Sequence, residues 1–265
     1  MTVRTARLSA ALLLAAPFAA APLMAQAEYA TGTTRYRVST EVKGTQTSPM
    51  GNAAFDLGLK EQLTVSLMKH ARDTVMATIK VDSVFMKSTG APAPDLSKVS
   101  GVQFVTLMSP TGKFYSTKAP EGMDPALGQI TDGIGRFLPS FRAGVANDMT
   151  WSDTTSGKVN QQGMDLDRTS VSTFKVNGDT TIAGEKAFRI ERLTSTKAAG
   201  SGMMQGTPMT METTGTGTGA YYLTAKGVYL GAHSSDEVNT KVTVLAQNIE
   251  IAIKQQVHTT VEAIK

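Results

Sequence analysis

Apolar and polar residues alternate with a period of two along most of the chain, most clearly between Phe55 and Leu67. In that stretch every odd position is apolar except Glu61, and every even position is polar or glycine. After a short polar link, the alternation resumes from Val75 to Phe85. Such alternation predicts strands with one buried and one solvated side, and the short link predicts a long hairpin over about 54–86.

The same pattern predicts roughly ten to twelve antiparallel strands, separated by turn signals. Ser109-Pro110-Thr111-Gly112 is one such signal. Asn177-Gly178-Asp179 predicts a hairpin turn between strands at 168–176 and 180–193. A change of apolar parity near Gln247-Asn248 predicts a bulge or turn. Because so large a sheet should curl or split, the predicted fold class is mainly β: a large curved antiparallel sheet, like a half-barrel, with one short covering helix.

The covering helix is predicted over about 124–138. Asp124-Pro125 supplies an N-cap followed by proline at the first helical position, and apolar residues then recur at helical spacing until Pro139 ends the run. Three glycines weaken this helix, so it needs an apolar surface to lie on, and the concave face of the sheet is the expected partner.

Residues 1–27 have the features of a secretory signal peptide. Arg4 and Arg7 precede an apolar run from Leu8 to Met24, and Ala25-Gln26-Ala27 forms a small-x-small cleavage site. The chain is therefore predicted to be exported, either to the periplasm or to the medium. The mature protein would be residues 28–265, a single β-rich domain containing the helical insertion.

The amino-acid composition excludes several classes of function. The chain has no cysteine, which excludes disulfides, thiolate metal sites and cysteine nucleophiles. Removal of residues 1–27 takes two arginines and no acid from 26 basic and 22 acidic side chains, so the formal charge falls from +4 to about +2. A near-neutral surface gives no reason to expect nucleic acid. No mature segment approaches the ~18 continuous apolar residues of a membrane helix.

Candidate chemistry is sparse. No nucleophile elbow, P-loop or HExxH motif occurs, and His70, His233 and His258 lie on separate predicted elements, so we predict neither an enzyme nor a cofactor. Methionines cluster near one predicted hairpin tip, and thioethers select Cu(I), but clustered methionines also pack adaptably without any metal. The candidate metal ligands are Met203, Met204, Met209 and Met211.

A further pattern surrounds the only tryptophan. Gly144-x-x-x-Asp148-x-x-Trp151 leads into a strand, and Val176–Ile190 followed by a Gly/Met-rich stretch completes the pattern. Over about half the chain this resembles a family of exported bacterial β-rich proteins of unknown function. The resemblance implies a cupped sheet similar to the half-barrels of periplasmic lipoprotein carriers. It carries over no active-site residue.

The sequence therefore favours a non-enzymatic cell-envelope protein whose concave face binds an apolar small molecule or lipid, with the helix as a lid. The predicted ligand-lining residues are Phe55, Leu57, Leu63, Val65, Ile79, Val81, Ile130, Ile134 and Phe137. One alternative is a structural or interaction module whose concave face is filled by its own side chains. An outer-membrane barrel is disfavoured by a 6% aromatic content and by the interrupting helix.

Overall fold

The computed structural model describes residues 28–90, 95–118, 133–135, 137–161, 164–204 and 206–264. The predicted signal peptide and most of the predicted helix lie outside these residues. The described part contains eleven strands: β1 (Gly32–Ser48), β2 (Gly51–Ala71), β3 (Thr74–Thr89), β4 (Gln103–Met108), β5 (Phe114–Lys118), β6 (Thr150–Gln161), β7 (Met164–Ile182), β8 (Glu185–Met204), β9 (Thr207–Leu223), β10 (Tyr229–Val244) and β11 (Ile249–Ile264).

These strands form one antiparallel sheet in the order β5-β4-β3-β2-β1-β11-β10-β9-β8-β7-β6. Strands β1 to β5 form one meander and β6 to β11 form a second. The two meanders join where β1 pairs with β11, for example at Thr40 opposite Thr259. Among the described strands β5 and β6 are unpaired edges, so the sheet is curved but not closed. The predicted mainly-β fold class is confirmed, and the two strand sets belong to one sheet.

The predicted 54–86 hairpin is confirmed as β2 and β3, with Val65 opposite Ile79. The turn at 109–112 is also confirmed, because the Gly112 N–H donates to the Ser109 carbonyl at 2.9 Å and Gly112 has φ +84°. A positive φ at this position suits glycine, which has no Cβ to clash.

The turn predicted at Asn177-Gly178-Asp179 is wrong. Strand β7 continues through these residues with a register shift between Val176 and Asp179, and the chain reverses instead at Ala183-Gly184. Gly178 has φ +71°, whereas Ala183 and Gly184 have φ +50° and +85°. A glycine with a positive φ occurs in β-bulges as well as in hairpin turns. The Asn-Gly-Asp sequence is therefore compatible with both structures and did not distinguish between them.

The predicted helix ends earlier than expected. Residues 133–135 are helical, but Phe137 and Leu138 are not, and the described chain from 137 to 149 is irregular. Pro139 accounts for the early end, since a proline disfavours helical geometry at the residue before it. Ile134, Leu138 and Phe141 are nevertheless buried in the main core, together with Leu96 and Val99 from the β3–β4 connection.

Candidate functional site

The two faces of the sheet differ in how deeply their side chains are buried. On one face Val38, Leu63 and Ile79 are buried, whereas Lys60 and Lys80 on the other face are exposed. Because successive side chains of a strand point to opposite faces, parity and pairing register assign every strand residue to one face. The face that contacts residues 134–135 and 137–149 is called the inner face here, and the opposite face, which carries these lysines, the outer face.

One end of the inner face is closed by aromatic packing. The Phe137 ring lies 5.0 Å from that of Tyr36 and 5.9 Å from that of Tyr229, both edge-on. The Tyr29 hydroxyl donates to the Pro139 carbonyl at 2.6 Å, and the Tyr221 hydroxyl donates to the Ser140 carbonyl at 3.0 Å. Burial raises the pKa of all four tyrosine hydroxyls above its ordinary value, so these side chains remain neutral. These contacts fix residues 137–141 over the core.

The helical turn at 133–135 is held just as closely. Thr106 Oγ1 donates to the Gly135 carbonyl at 2.9 Å, and Ile134 is only 3% exposed. A Cβ on Gly135 would lie 2.7 Å from Thr117 Oγ1, so this backbone sits directly against β5. The described part of the predicted lid is therefore docked on β4 and β5.

Beyond the closed end, the inner face of β11, β1, β2 and β3 carries partly exposed apolar side chains, which we call the apolar wall. Neighbours across the strands extend it, since Val42 lies opposite both Leu57 and Val257, and Leu59 lies opposite Met86. The wall comprises Val42, Phe55, Leu57, Leu59, Met86 and Val257, each partly exposed.

The inner face of β7 to β10 is different, because hydroxyl side chains replace the apolar ones. Ser170 bonds Thr196 at 2.8 Å, Ser172 bonds Thr194 at 2.8 Å, and Thr213 bonds Thr240 at 3.0 Å, each pair across neighbouring strands. We call these six residues the hydroxyl wall. Such pairs satisfy one another and stabilise the strand pairing, and they give this half of the inner face a polar surface.

Two cavities lie inside the curl of β6 to β11. The larger, of about 440 Å³, is lined by parts of the hydroxyl wall, by Arg168 and Asp236, and by Val257 of the apolar wall. The smaller, of about 310 Å³, lies next to the closed end and is lined by Arg192, Phe137 and Tyr221. The larger volume falls within the roughly 300–1,000 Å³ typical of small-molecule sites.

Glu61 is the one buried carboxylate on the described inner face. It is 8% exposed, lies opposite Val38 and Val84 on the neighbouring strands, and its Oε1 has no hydrogen-bond partner. Burial raises its pKa to about 7. A neutral carboxyl at this position costs far less than a charged one, because an unpaired charge is poorly solvated there.

The residues predicted to line a ligand site divide into two groups. Leu63, Val65, Ile79 and Val81 are at most 2% exposed and belong to the main core with Ile134, and Phe137 packs against that core. Phe55 and Leu57 lie on the apolar wall instead. Ile130 is outside the described residues. Ligand binding by this set stays a prediction. Of its described members Phe55, Leu57 and Phe137 are partly exposed, and the others are buried.

The methionine patch does not converge on one point. Met209 and Met211 pack on the inner face with Met164, Leu166 and Val242, whereas Met203 is 55% exposed on the outer face. Met204 belongs to β8, and its side chain is outside the described set. Copper binding by these residues stays a prediction.

The described residues offer no other obvious metal site. No group of three or more His, Cys, Asp or Glu in the described ranges lies close enough to hold an ion. His70, His233 and His258 are all exposed, and the His233 ring contacts the Tyr222 hydroxyl at 3.2 Å. No described helix has the length and hydropathy to cross a membrane.

Sequence reasoning did not select the charged residues of the inner face. Glu61 occupies an apolar parity position of β2, and Arg168 and Arg192 occupy the inward parity of β7 and β8. The sequence does contain a signal for these residues, because each is a charged residue at a position where the alternation predicts an apolar one.

The chain matches no family model and no curated protein. Among solved structures, it is similar to Neisserial surface protein A, at 11% identity over 86% of this chain and 97% of that one, with a TM-score of 0.18. It is also similar to Pseudomonas aeruginosa OccK2, at 7% identity over 88% of this chain and 98% of that one, with a TM-score of 0.28. Similarity at these scores supports no inference about function. The expected resemblance to lipoprotein carriers stays a prediction.

Proposed function

We propose that this protein is an exported, non-enzymatic binding protein of the cell envelope that holds the acyl chain of a lipid-like ligand on its inner face. The observation that carries the proposal is the apolar wall. Its side chains share a face with the core and keep exposed surface, whereas the described residues 137–141 lie over the closed end. The outer face carries most of the charged side chains and exposes scattered apolar ones, among them Phe85, Leu193 and Met203. The wall residues differ in that they adjoin one another across β11, β1, β2 and β3.

The wall and the larger cavity are continuous. Val257 lines that cavity and lies opposite Val42, which in turn lies opposite Leu57. An acyl chain lying along these residues would remove their remaining apolar surface from water, at about 25 cal/mol per Å². Its polar end would lie near the hydroxyl wall.

The test is displacement of the neutral fluorophore N-phenyl-1-naphthylamine from the purified protein by oleyl alcohol. Leu57→Asn should weaken oleyl alcohol binding by roughly tenfold, the equivalent of about 1.4 kcal/mol of lost apolar contact. The matched control is Lys60→Asn on the outer face of the same strand, which should leave binding within twofold.

The absence of saturable binding by the fluorophore or the alcohol would contradict the proposal. It would favour the alternative of a structural module, which also has a specific observation behind it. The main core is solidly packed, with Ala77, Val81 and Phe104 fully buried, so the closed end needs no ligand to be stable.

A further inference from the structure

Glu61 stands at the boundary between the main core and the apolar wall. On the inner face of β2 it lies between Leu59, which belongs to the wall, and Leu63, which is buried in the core. Met86 of the wall lies opposite Leu59 on β3 and is therefore a diagonal neighbour of Glu61, a separation that long side chains span. A ligand that covers the wall as far as Leu59 and Met86 would lie directly beside the Glu61 carboxyl.

The strand next to Glu61 presents only apolar side chains to it. A register shift in β3 turns both Val81 and Val84 to the inner face, and the unmatched residue, Asp82, accepts a hydrogen bond from Thr64 on the outer face. Such a bulge redirects side chains locally. The polar residue of this bulge is thus directed away from Glu61, whose Oε1 has no hydrogen-bond partner.

No charged side chain on the described inner faces of β1 and β3 lies beside Glu61. The titratable residue of β1 on this face is Tyr36, which stays neutral because burial raises its pKa, and its hydroxyl donates to the Tyr229 carbonyl at 3.0 Å. Among residues 137–149, which pack on the core, Arg142 and Asp148 carry charges, and both are exposed. An ionised Glu61 therefore depends on water for its solvation.

That water reaches the carboxyl from the side of the wall. On the core side of Glu61, Leu63 is 1% exposed, whereas Leu59 on the wall side is partly exposed. An acyl chain lying on the wall would displace this water. A carboxylate without a partner or water is far more costly to bury than a neutral carboxyl.

We propose that ligand binding on the apolar wall is coupled to protonation of Glu61, so that the protein holds its ligand while this carboxyl is neutral and releases it when the carboxyl ionises. The inference rests on the proposed function, since it concerns the same wall and the same acyl chain. It makes Glu61 a pH-sensitive control on the site, acting through the water that the ligand displaces.

The experiment measures oleyl alcohol binding at pH 5 and pH 8 by displacement of N-phenyl-1-naphthylamine. Oleyl alcohol has no group that titrates in this range, so any change with pH belongs to the protein. A carboxyl with a pKa of about 7 is roughly nine-tenths ionised at pH 8, so wild-type binding should be roughly tenfold weaker there than at pH 5. Glu61→Gln cannot ionise and should bind within twofold at the two pH values.

The matched control is Glu41→Gln, which removes an exposed carboxylate from the outer face of β1 and should keep the wild-type pH dependence. Glu61→Leu is a second variant without a titrating group, and it too should bind equally at both pH values. Circular dichroism at each pH verifies that the compared samples are folded. By linkage, saturating oleyl alcohol should also raise the pKa of the Glu61 carboxyl, followed by carbon NMR.

The outcomes separate this inference from the proposed function. Wild-type binding that is equal at pH 5 and pH 8, and is still weakened by Leu57→Asn, would overturn the coupling and keep acyl binding. Tighter binding at pH 8, or a pH dependence that persists in Glu61→Gln, would also overturn the coupling alone. An absence of saturable binding at both pH values would overturn both proposals.

Discussion

Glu61 should make the protein less stable as the pH rises from acid to neutral. Its carboxyl lies between Val38 and Val84 of the neighbouring strands, and burial raises its pKa from 4.5 to about 7. The folded state therefore holds a proton that the unfolded chain releases near pH 4.5. The stabilisation that comes from this bound proton is fully present below pH 4.5 and is lost as the pH rises through about 7.

The size of this effect on stability follows from the rise in the pKa of Glu61. A change of one pKa unit corresponds to about 1.36 kcal/mol, so the rise from 4.5 to about 7 corresponds to about 3 kcal/mol between pH 4.5 and pH 8. Only 8% of the residue is exposed, so solvent screens the effect little. A loss of about 3 kcal/mol is a large part of the roughly 5–15 kcal/mol that stabilises a typical domain.

The assay is urea unfolding at pH 5 and pH 8, followed by the fluorescence of Trp151, the only tryptophan. The wild-type protein should unfold at a lower urea concentration at pH 8. Glu61→Gln keeps the shape and removes the charge, so it should abolish most of the difference between the two pH values. Glu61→Leu should be more stable than wild type at pH 8, because an apolar side chain replaces a carboxylate without a partner.

The matched control is Glu41→Gln, which removes an exposed carboxylate from the outer face of the adjacent strand. It should leave the pH dependence as in the wild type. Full pH dependence in Glu61→Gln, or an equal loss of it in Glu41→Gln, would contradict the assignment of this effect to Glu61.

Two further predictions concern packing. Ile134→Asp should lower the free energy of unfolding by several kcal/mol in urea titrations, because an aspartate at this 3% exposed position would lack a partner. The control is Leu245→Asp, at a 53% exposed turn position. If the two variants lost equal stability, the 133–135 turn would contribute little. Met211→Gln should lower the melting temperature because Met211 is buried with Met164, whereas Met203→Gln on the outer face should not. Equal effects of the two substitutions would contradict the assignment of these methionines to opposite faces.

The alternation pattern predicted local structure well because it records which face of a strand is buried. In β2 and β3 it identified the hairpin and the buried parity that holds Leu63 and Ile79. It could not identify distant neighbours, since the pairing of β1 with β11 joins residues as far apart as Thr40 and Thr259. Any strand with one apolar and one polar face could pair with β1 at its free edge. The sequence therefore did not distinguish one continuous sheet from two separate sheets.

The same limit explains the predicted ligand-lining residues. Core residues and apolar-wall residues have the same parity on the same strand, as Leu63 and Leu57 show on β2. Among the described residues, what distinguishes them is contact with residues 134–135 and 137–149, which pack on the core at the closed end. The sequence predicted a cover but not the part of the face it would occupy, so residues of the core and of the wall entered one list.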